Sequence, residues 1–302
     1  MRIIELGHVI AGPLSATLMG DFGADVIKVE NPNAPDMMRD LGPKAVQDGV
    51  GVWWKTIARN KRILALDWKG DKGRAILRQL VEGADVLVEN FRAGVLERAG
   101  IGPDVLHDWN PDLVILRISG YGQDGPMVKK PAFGRAAEAL AGLPHITGHP
   151  DGPPMHPGFP AADSTTGLMG ALGVMMALHA RGRDGQQPQQ TRSKNLRLAL
   201  HARGRDGQRG QVVDLAVFGA LMRLIDYHVP ALTGAKLSPV RNGLRQPMDF
   251  APGGMFRTND GVWVTVSAGG VDTARRLLRA VGGDDLADGG DGEDVLFGHD
   301  GD

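Results

Sequence analysis

MRIIELGHVIAGPLSATLMGDFGADVIKVE, Met1–Glu30, is the stretch whose reading decides the fold. Arg2–Leu6 is a short apolar run with the character of a buried strand, Pro13–Phe22 follows as a helical pattern, and Asp25–Glu30 is strand-like again. Pro13 suits a first helical turn, and Gly23 stands where a glycine ends a helix. A strand, a crossover helix and a second strand in so short a span form the repeating unit of a parallel sheet.

The alternation continues downstream. Ile63–Leu66, Asp85–Glu89 and Leu113–Ser119 read as strands, several apolar throughout as in a sheet covered on both faces. Lys72–Val81, Ala93–Arg98 and Pro103–Trp109 read as the helices between them, with Gly83 and Gly100 at helix ends. The fold class is therefore α/β. The segment 158–185, GFPAADSTTGLMGALGVMMALHARGRDG, holds the strongest helix. Leu168, Met169, Ala171, Leu172, Val174, Met175, Met176 and Leu178 leave almost no polar face, which predicts burial on most sides. A strand over Gln211–Val217 and a helix over Leu221–Tyr227 follow. Beyond Pro230 come Gly/Pro-rich loops, a strand at Val262–Ser267 and a helix at Thr273–Ala280. The expected organisation is a large domain over 1–230, a partial small domain over 231–283 and a tail over 284–302.

Composition limits the function classes. The chain has 302 residues, 42% of them hydrophobic, a formal charge of -1 and no cysteine. It is long enough for a large core. Scattered basic residues and near-zero net charge argue against a nucleic-acid or acidic-membrane partner. Without cysteine there is no disulfide, thiolate metal site or cysteine nucleophile. The N-terminus lacks the pattern of a signal peptide, and no uninterrupted apolar run reaches the roughly 18 to 20 residues of a membrane span, so a cytoplasmic location is expected.

Two segments break the order. ALHARGRDGQ occurs at Ala177–Gln186 and again at Ala199–Gln208, an offset of 22 residues. Its removal leaves a helix, a turn and a strand in normal succession, so 187–208 is expected to be an inserted surface loop without a catalytic role. The tail is acidic and glycine-rich, and Gly289–Phe297 fits the nonapeptide of calcium-binding β-rolls. One and a half copies lack the neighbouring turns that complete a calcium shell. A solvated, disordered tail is the expectation, with calcium-dependent ordering as the alternative.

Asp163, where a loop meets the apolar helix, carries two readings. Asp is a preferred N-cap, accepting hydrogen bonds from free backbone N–H groups. The same helix end stabilises an anion that can attack an activated carbonyl once water is excluded.

Five ordered blocks bear on that choice: His8–Glu30, Ala58–Leu77, Ala84–Ile101, Leu113–Pro126 and Gly158–Gly185. Together they resemble the family III CoA-transferases, the CaiB/BaiF group containing formyl-CoA transferase and carnitine CoA-transferase. The resemblance runs from residue 2 to about 283. It implies a large domain with a Rossmann-like, mostly parallel sheet, a smaller second domain that is truncated here, and two ring-shaped subunits interlocked as a homodimer. Asp163 matches the nucleophile that, in the family, carries an aspartyl-CoA thioester while CoA moves from an acyl-CoA to a carboxylic acid. Coenzyme A and its esters are substrates, and neither a metal nor a tightly bound cofactor is implied.

Other positions carry over by the same resemblance. Ile10 and Ala11 match a loop whose backbone lies against CoA. Leu66, Asp67, Trp68 and Lys69 match a second CoA-contacting stretch, and Asn90, Phe91 and Arg92 a third. Arg98 matches a basic residue near the CoA phosphates, and Gly253 and Gly254 fall near a glycine-rich loop that covers the reacting aspartate. There are departures. Asn31 replaces a basic residue of formyl-CoA transferase, so one phosphate contact is either absent or supplied by nearby Arg39. At Pro131–Gly134, Phe133 stands where a tyrosine contacts substrate, and Lys129 or Lys130 supplies charge from a shifted position.

Two rivals remain open at this stage. An α-methylacyl-CoA racemase shares the fold and the aspartate, but its acid/base histidine aligns with Phe133, which moves no proton. The other is an inactive CoA-ester-binding remnant, because relatives continue further through the small domain.

Overall fold

The computed structural model describes residues 1–45, 48–181, 198–201, 210–241, 243, 253–267 and 271–280. The tail at 284–302 and most of the insert at 187–208 lie outside the described residues. The chain divides into two compact units: Met1–Leu143 with Pro157–Pro230, and Pro144–His156 with the described residues from Ala231 onward.

The first unit is α/β. In chain order it comprises β1 (Arg2–Glu5), α1 (Ala11–Asp21), β2 (Asp25–Glu30), α2 (Val52–Ile57), β3 (Lys61–Ala65), α3 (Asp71–Glu82), β4 (Val86–Glu89), α4 (Val95–Arg98), α5 (Pro103–Trp109), β5 (Val114–Ser119) and α6 (Gly134–Ala141). The short α7 (Leu143–Ile146) leads out of it. After 157 come α8 (Ala161–Arg181), β6 (Leu198–His201), β7 (Val212–Ala216), α9 (Val217–Met222) and the start of α10 (His228–Gly234). The second unit adds the antiparallel pair β8 (Gly253–Arg257) and β9 (Trp263–Ser267), and then α11 (Val271–Ala280).

The main sheet has the order β3-β2-β1-β4-β5-β7-β6, six parallel strands closed by one antiparallel edge strand. Ile3 pairs with Val26 on one side and Val86 on the other. Chain order reverses between β1 and β4, the switch point outside which open α/β sheets form their ligand crevice. Ile3, Val86, Val88, Val114 and Leu116 join one core layer; Ile4, Leu6, Leu87, Leu113 and Ile115 join the other. Because side chains alternate along each strand, both faces are apolar, and the strands read as continuous hydrophobic runs.

Three expectations are corrected. Within the insert predicted to be a loop, Leu198–His201 forms β6, whose backbone takes up the otherwise open edge of β7. The helix expected over Leu221–Tyr227 instead starts at Val217, directly after β7, because Val217, Ala220 and Leu221 pack into the core. Helix α8 is not buried on most sides. Gly167, Gly170, Gly173, Val174 and Ala177 face inward with Thr165 and Thr166, whereas Leu168, Leu172, Met175 and Met176 are each at least half exposed. By length and composition α8 is apolar enough to cross a membrane, with half of its apolar window buried. Packing against α1, α9, β5 and β7 accounts for that composition as a core helix.

Beneath the β1–α1 loop lies a fully buried charge cluster. Lys28 Nζ reaches Glu5 at 2.8 Å, Asp36 at 3.1 Å and the Gly7 carbonyl at 2.6 Å, and Lys61 reaches Glu5 at 2.6 Å. Burial alone would lower the Lys28 pKa, but Glu5 and Asp36 outweigh it and raise it. Asp36 also accepts from the Val9 N–H at 3.1 Å. Val9 has φ 66, a left-handed conformation that a β-branched residue adopts only when its surroundings impose it. The cluster thus shapes the loop that opens onto the switch point.

Candidate functional site

Asp163 is the third residue of α8, inside its first turn, so the N-cap reading is corrected. Among the described residues no hydrogen-bond donor to its carboxylate is found. The carboxylate is half-buried against Gly134, the first residue of α6: a Cβ there would stand 3.0 Å from Asp163 Cγ, closer than side chains tolerate. A larger residue there would push the Asp163 carboxylate out of its seat. Burial raises the Asp163 pKa to about 6, helped by the charge of Glu138 and opposed by Arg135. The free N–H groups of the helix start still favour the anion.

Neither Glu138 nor Arg135 stood out in the sequence. Both lie on α6, in a stretch that reads as loop-bordered and weakly patterned. Glu138 is fully buried and Arg135 about half exposed, joined at 2.8 Å. The only local signal is their spacing of three residues, which in a helix brings them together.

The residues matched to CoA contacts gather along the C-terminal edge of the sheet. Ile10 and Ala11 follow β1, Leu66–Lys69 follow β3, and Asn90–Arg92 follow β4. The Asn90 side chain binds the β1–α1 loop like a peptide group, accepting from His8 N–H and donating to His8 C=O, each at 2.8 Å. Phe91 lies between His8 and Trp68 in tilted ring contacts, with centroids 5.6 and 5.8 Å away. The side chains of Ile10, Ala11 and Trp68 belong to the core, so what they offer a ligand is the shape of their loops. Asp67 ties its turn to Asn31 at 3.2 Å, and Lys69 lies 5.6 Å over the Trp68 ring. Leu66 is partly buried against the same core.

Beside this edge a cavity of about 540 Å³ is lined by Arg92, Arg98, Arg117, Lys129, Glu97 and Gln123, among others. Arg117 is engaged, at 2.8 Å from Glu89 and 2.7 Å from Glu97. Burial pushes the Glu89 pKa to about 7 against the pull of Arg117. Arg92, Arg98 and Lys129 are exposed cations on the wall. Of the two lysines considered for a shifted charge, Lys129 lines the cavity. Arg39 pairs with Glu30 at 3.0 Å and stacks on Trp54 at 4.0 Å. Phe133 precedes Gly134 and is 73% exposed.

Gly253 and Gly254 are in the second unit. They are not in a loop but open β8, pairing with Ser267 and Val266 of β9. The φ of 152 at Gly254 is a backbone geometry that suits glycine.

A doubly wound sheet with a cation-lined cavity at its C-terminal edge, and a half-buried carboxylate on the helix start of the same unit, defines an α/β protein suited to a polyanionic ligand. The sequence profile of CoA-transferase family III matches residues 1–191 and 195–294, and the chain belongs to that family. Succinyl-CoA–D-citramalate CoA-transferase of Chloroflexus aurantiacus is 37% identical over 287 residues, covering 95% of this chain and 65% of the relative. Succinyl-CoA:mesaconate CoA-transferase of Haloarcula hispanica is 35% identical over 269 residues, covering 86% and 61%. The crystal structure of a CaiB/BaiF family protein from Brucella suis superposes with a TM-score of 0.77 at 28% identity, covering 95% of this chain and 70% of that one. The chain thus spans just under two thirds of the length of these curated relatives.

Proposed function

We propose that the protein transfers CoA from an acyl-CoA thioester to a carboxylic acid, with Asp163 as nucleophile. The observation that carries this reading is the Asp163 carboxylate, half-buried on Gly134 at the start of α8, in a chain of this family. An Asp163 oxygen attacks the thioester carbonyl, the C–S bond breaks, and a mixed anhydride and CoA thiolate form. The thiolate attacks the aspartyl carbonyl of the anhydride, releasing the donor acid as carboxylate and leaving aspartyl-CoA. The acceptor carboxylate attacks that thioester and expels thiolate. The thiolate then takes the acceptor acyl group and returns Asp163 as a carboxylate. Each step exchanges one acyl bond for another, so no net oxidation or hydrolysis is involved.

Arg92, Arg98 and Lys129 are the groups best suited to the CoA phosphates, since charge-assisted bonds to phosphate are strong and directional. The names of the relatives favour succinyl-CoA as the first donor to try and small dicarboxylic acids as acceptors. A homodimer is supported by the exposed apolar face of α8, which a second copy would cover.

The test is to incubate the protein with succinyl-CoA, add hydroxylamine and map the adduct by mass spectrometry. A hydroxamate at Asp163 is expected; folded protein that stays unlabelled across a panel of acyl-CoAs removes the assignment. Replacing Arg92 and Lys129 together by Met is expected to raise KM for acyl-CoA about tenfold or more, while kcat changes little.

A further inference from the structure

The first turns of α6 surround Asp163 in a way that capping and packing alone do not require. Gly134 seats the carboxylate. One turn on, Glu138 is wholly buried: one oxygen takes Arg135 Nη1 at 2.8 Å, and the other accepts the N–H of Ala162, the residue before Asp163, at 3.4 Å. Arg135 Nη1 also donates to the Pro157 carbonyl at 3.1 Å, on the segment that leads into α8. A buried acid and a half-exposed base thus grip the chain at two points just ahead of the nucleophile, Ala162 and Pro157.

We infer that Arg135 and Glu138 are a positioning pair for Asp163: Glu138 anchors the first turn of α8 and sets a negative charge beside the nucleophile, while Arg135 anchors the preceding segment and tempers that charge. The inference rests on Asp163 being the nucleophile. Its chemical sense is differential. Two neighbouring carboxylates repel while Asp163 is a free anion, and the repulsion vanishes once Asp163 is an anhydride or thioester. The acylated states are favoured, and the free carboxylate becomes more basic and a stronger attacking group. Arg135 limits the shift, leaving Asp163 mostly ionised at neutral pH.

Among the described residues, the other elements packed on α8 place no competing charge on Asp163. Helix α9 carries no ionisable residue, and Asp21 at the far end of α1 is engaged by Arg59. On the sheet, Arg117 is held by Glu89 and Glu97, and Asp214 accepts from Gln123 N–H.

The experiment follows the pH dependence of single-turnover acylation of Asp163 by succinyl-CoA in wild type, Glu138→Gln, Arg135→Met and Arg135→Lys. Glu138→Gln is expected to move the acid limb to lower pH and slow acylation about tenfold on the plateau. Arg135→Met moves the limb to higher pH, and Arg135→Lys restores it toward wild type. Should Glu138→Gln fail to fold, the half-exposed Arg135 variants carry the test, with a 13C-carboxyl NMR titration of Asp163 assigned by Asp163→Asn. Label in the wild type with unmoved limbs in the variants overturns the pair alone. No label in the wild type overturns the nucleophile, and the pair with it.

Discussion

The two faces of α8 are built on opposite rules. Inward lie Gly167, Gly170 and Gly173, so close to their neighbours that a Cβ on Gly170 would come within 2.6 Å of Ser15 Oγ and 2.9 Å of Leu116 Cδ2. Outward lie Leu168, Leu172, Met175 and Met176, four large apolar side chains at 50 to 58% exposure. Hydrophobicity does not separate the faces; the three glycines do, since Val174 is buried as well and Met169 and Leu178 pack against the core from the flanks. Small residues let α1, α8 and the sheet approach closely, which brings the first turn of α8 against α6 and seats Asp163 on Gly134. The large residues are left as a surface that needs cover.

The sharpest way to break this comparison is to enlarge the inner face. Gly170→Val is expected to cost about 3 kcal/mol, because the methyl groups meet Ser15 and Leu116 in a packed core; thermal denaturation reads it directly. A Tm equal to wild type would show that close approach is not what the glycines provide.

Next in size is Asp163→Asn, at the inner start of the helix. The folded pKa of about 6 lies above the ordinary 3.8, so the folded state binds this proton more tightly than the unfolded chain does. That contribution is fully present at acidic pH and is lost as pH rises through the window from 3.8 to 6. Asparagine escapes the loss. The variant should therefore be more stable by about 2 kcal/mol at pH 7 and little changed near pH 3, while acyl exchange is abolished. A less stable variant at pH 7 would mean that the carboxylate holds the fold together.

Ser15→Ala probes the same face more gently. Its hydroxyl donates to the Gly167 carbonyl at 2.9 Å and to Ala11 at 3.2 Å, and removing it should cost about 1 kcal/mol in urea unfolding. On the outer face, Leu172→Gln with Met176→Gln should change unfolding of the isolated chain by less than about 0.5 kcal/mol. Under the proposed homodimer, the same pair should shift sedimentation toward monomer. If it costs as much as Gly170→Val, the two faces are not different in kind.

Much of the first unit could be read from particular residues. Ile3, Ile4, Val86–Val88 and Val114–Leu116 form apolar runs too short for helices, and they became adjacent parallel strands. Pro103 and Gly83 marked helix ends because their backbone constraints are local. Asp163 could be singled out by its place at a helix start, and the family legible in five ordered blocks is the one whose profile matches nearly the whole chain. Helix α6 was missed because GRAAEALA is short and its pattern weak. Glu138 was missed because nothing adjacent in sequence announces that a glutamate will be enclosed. The burial of α8 was overestimated because a uniformly apolar helix gives no sign of which side meets the core.

By itself the sequence determined the α/β class, the strand runs at the centre of the sheet, the family and the position of Asp163. These depend on local backbone preference and on side-chain polarity, which neighbouring residues carry with them. Only the tertiary structure decided the edge strand β6, which face of α8 is buried, and the company of Asp163. Those depend on which atoms distant segments bring within a few ångströms, where desolvation and like charge raise the Asp163 pKa and a Cβ on Gly134 would displace its carboxylate.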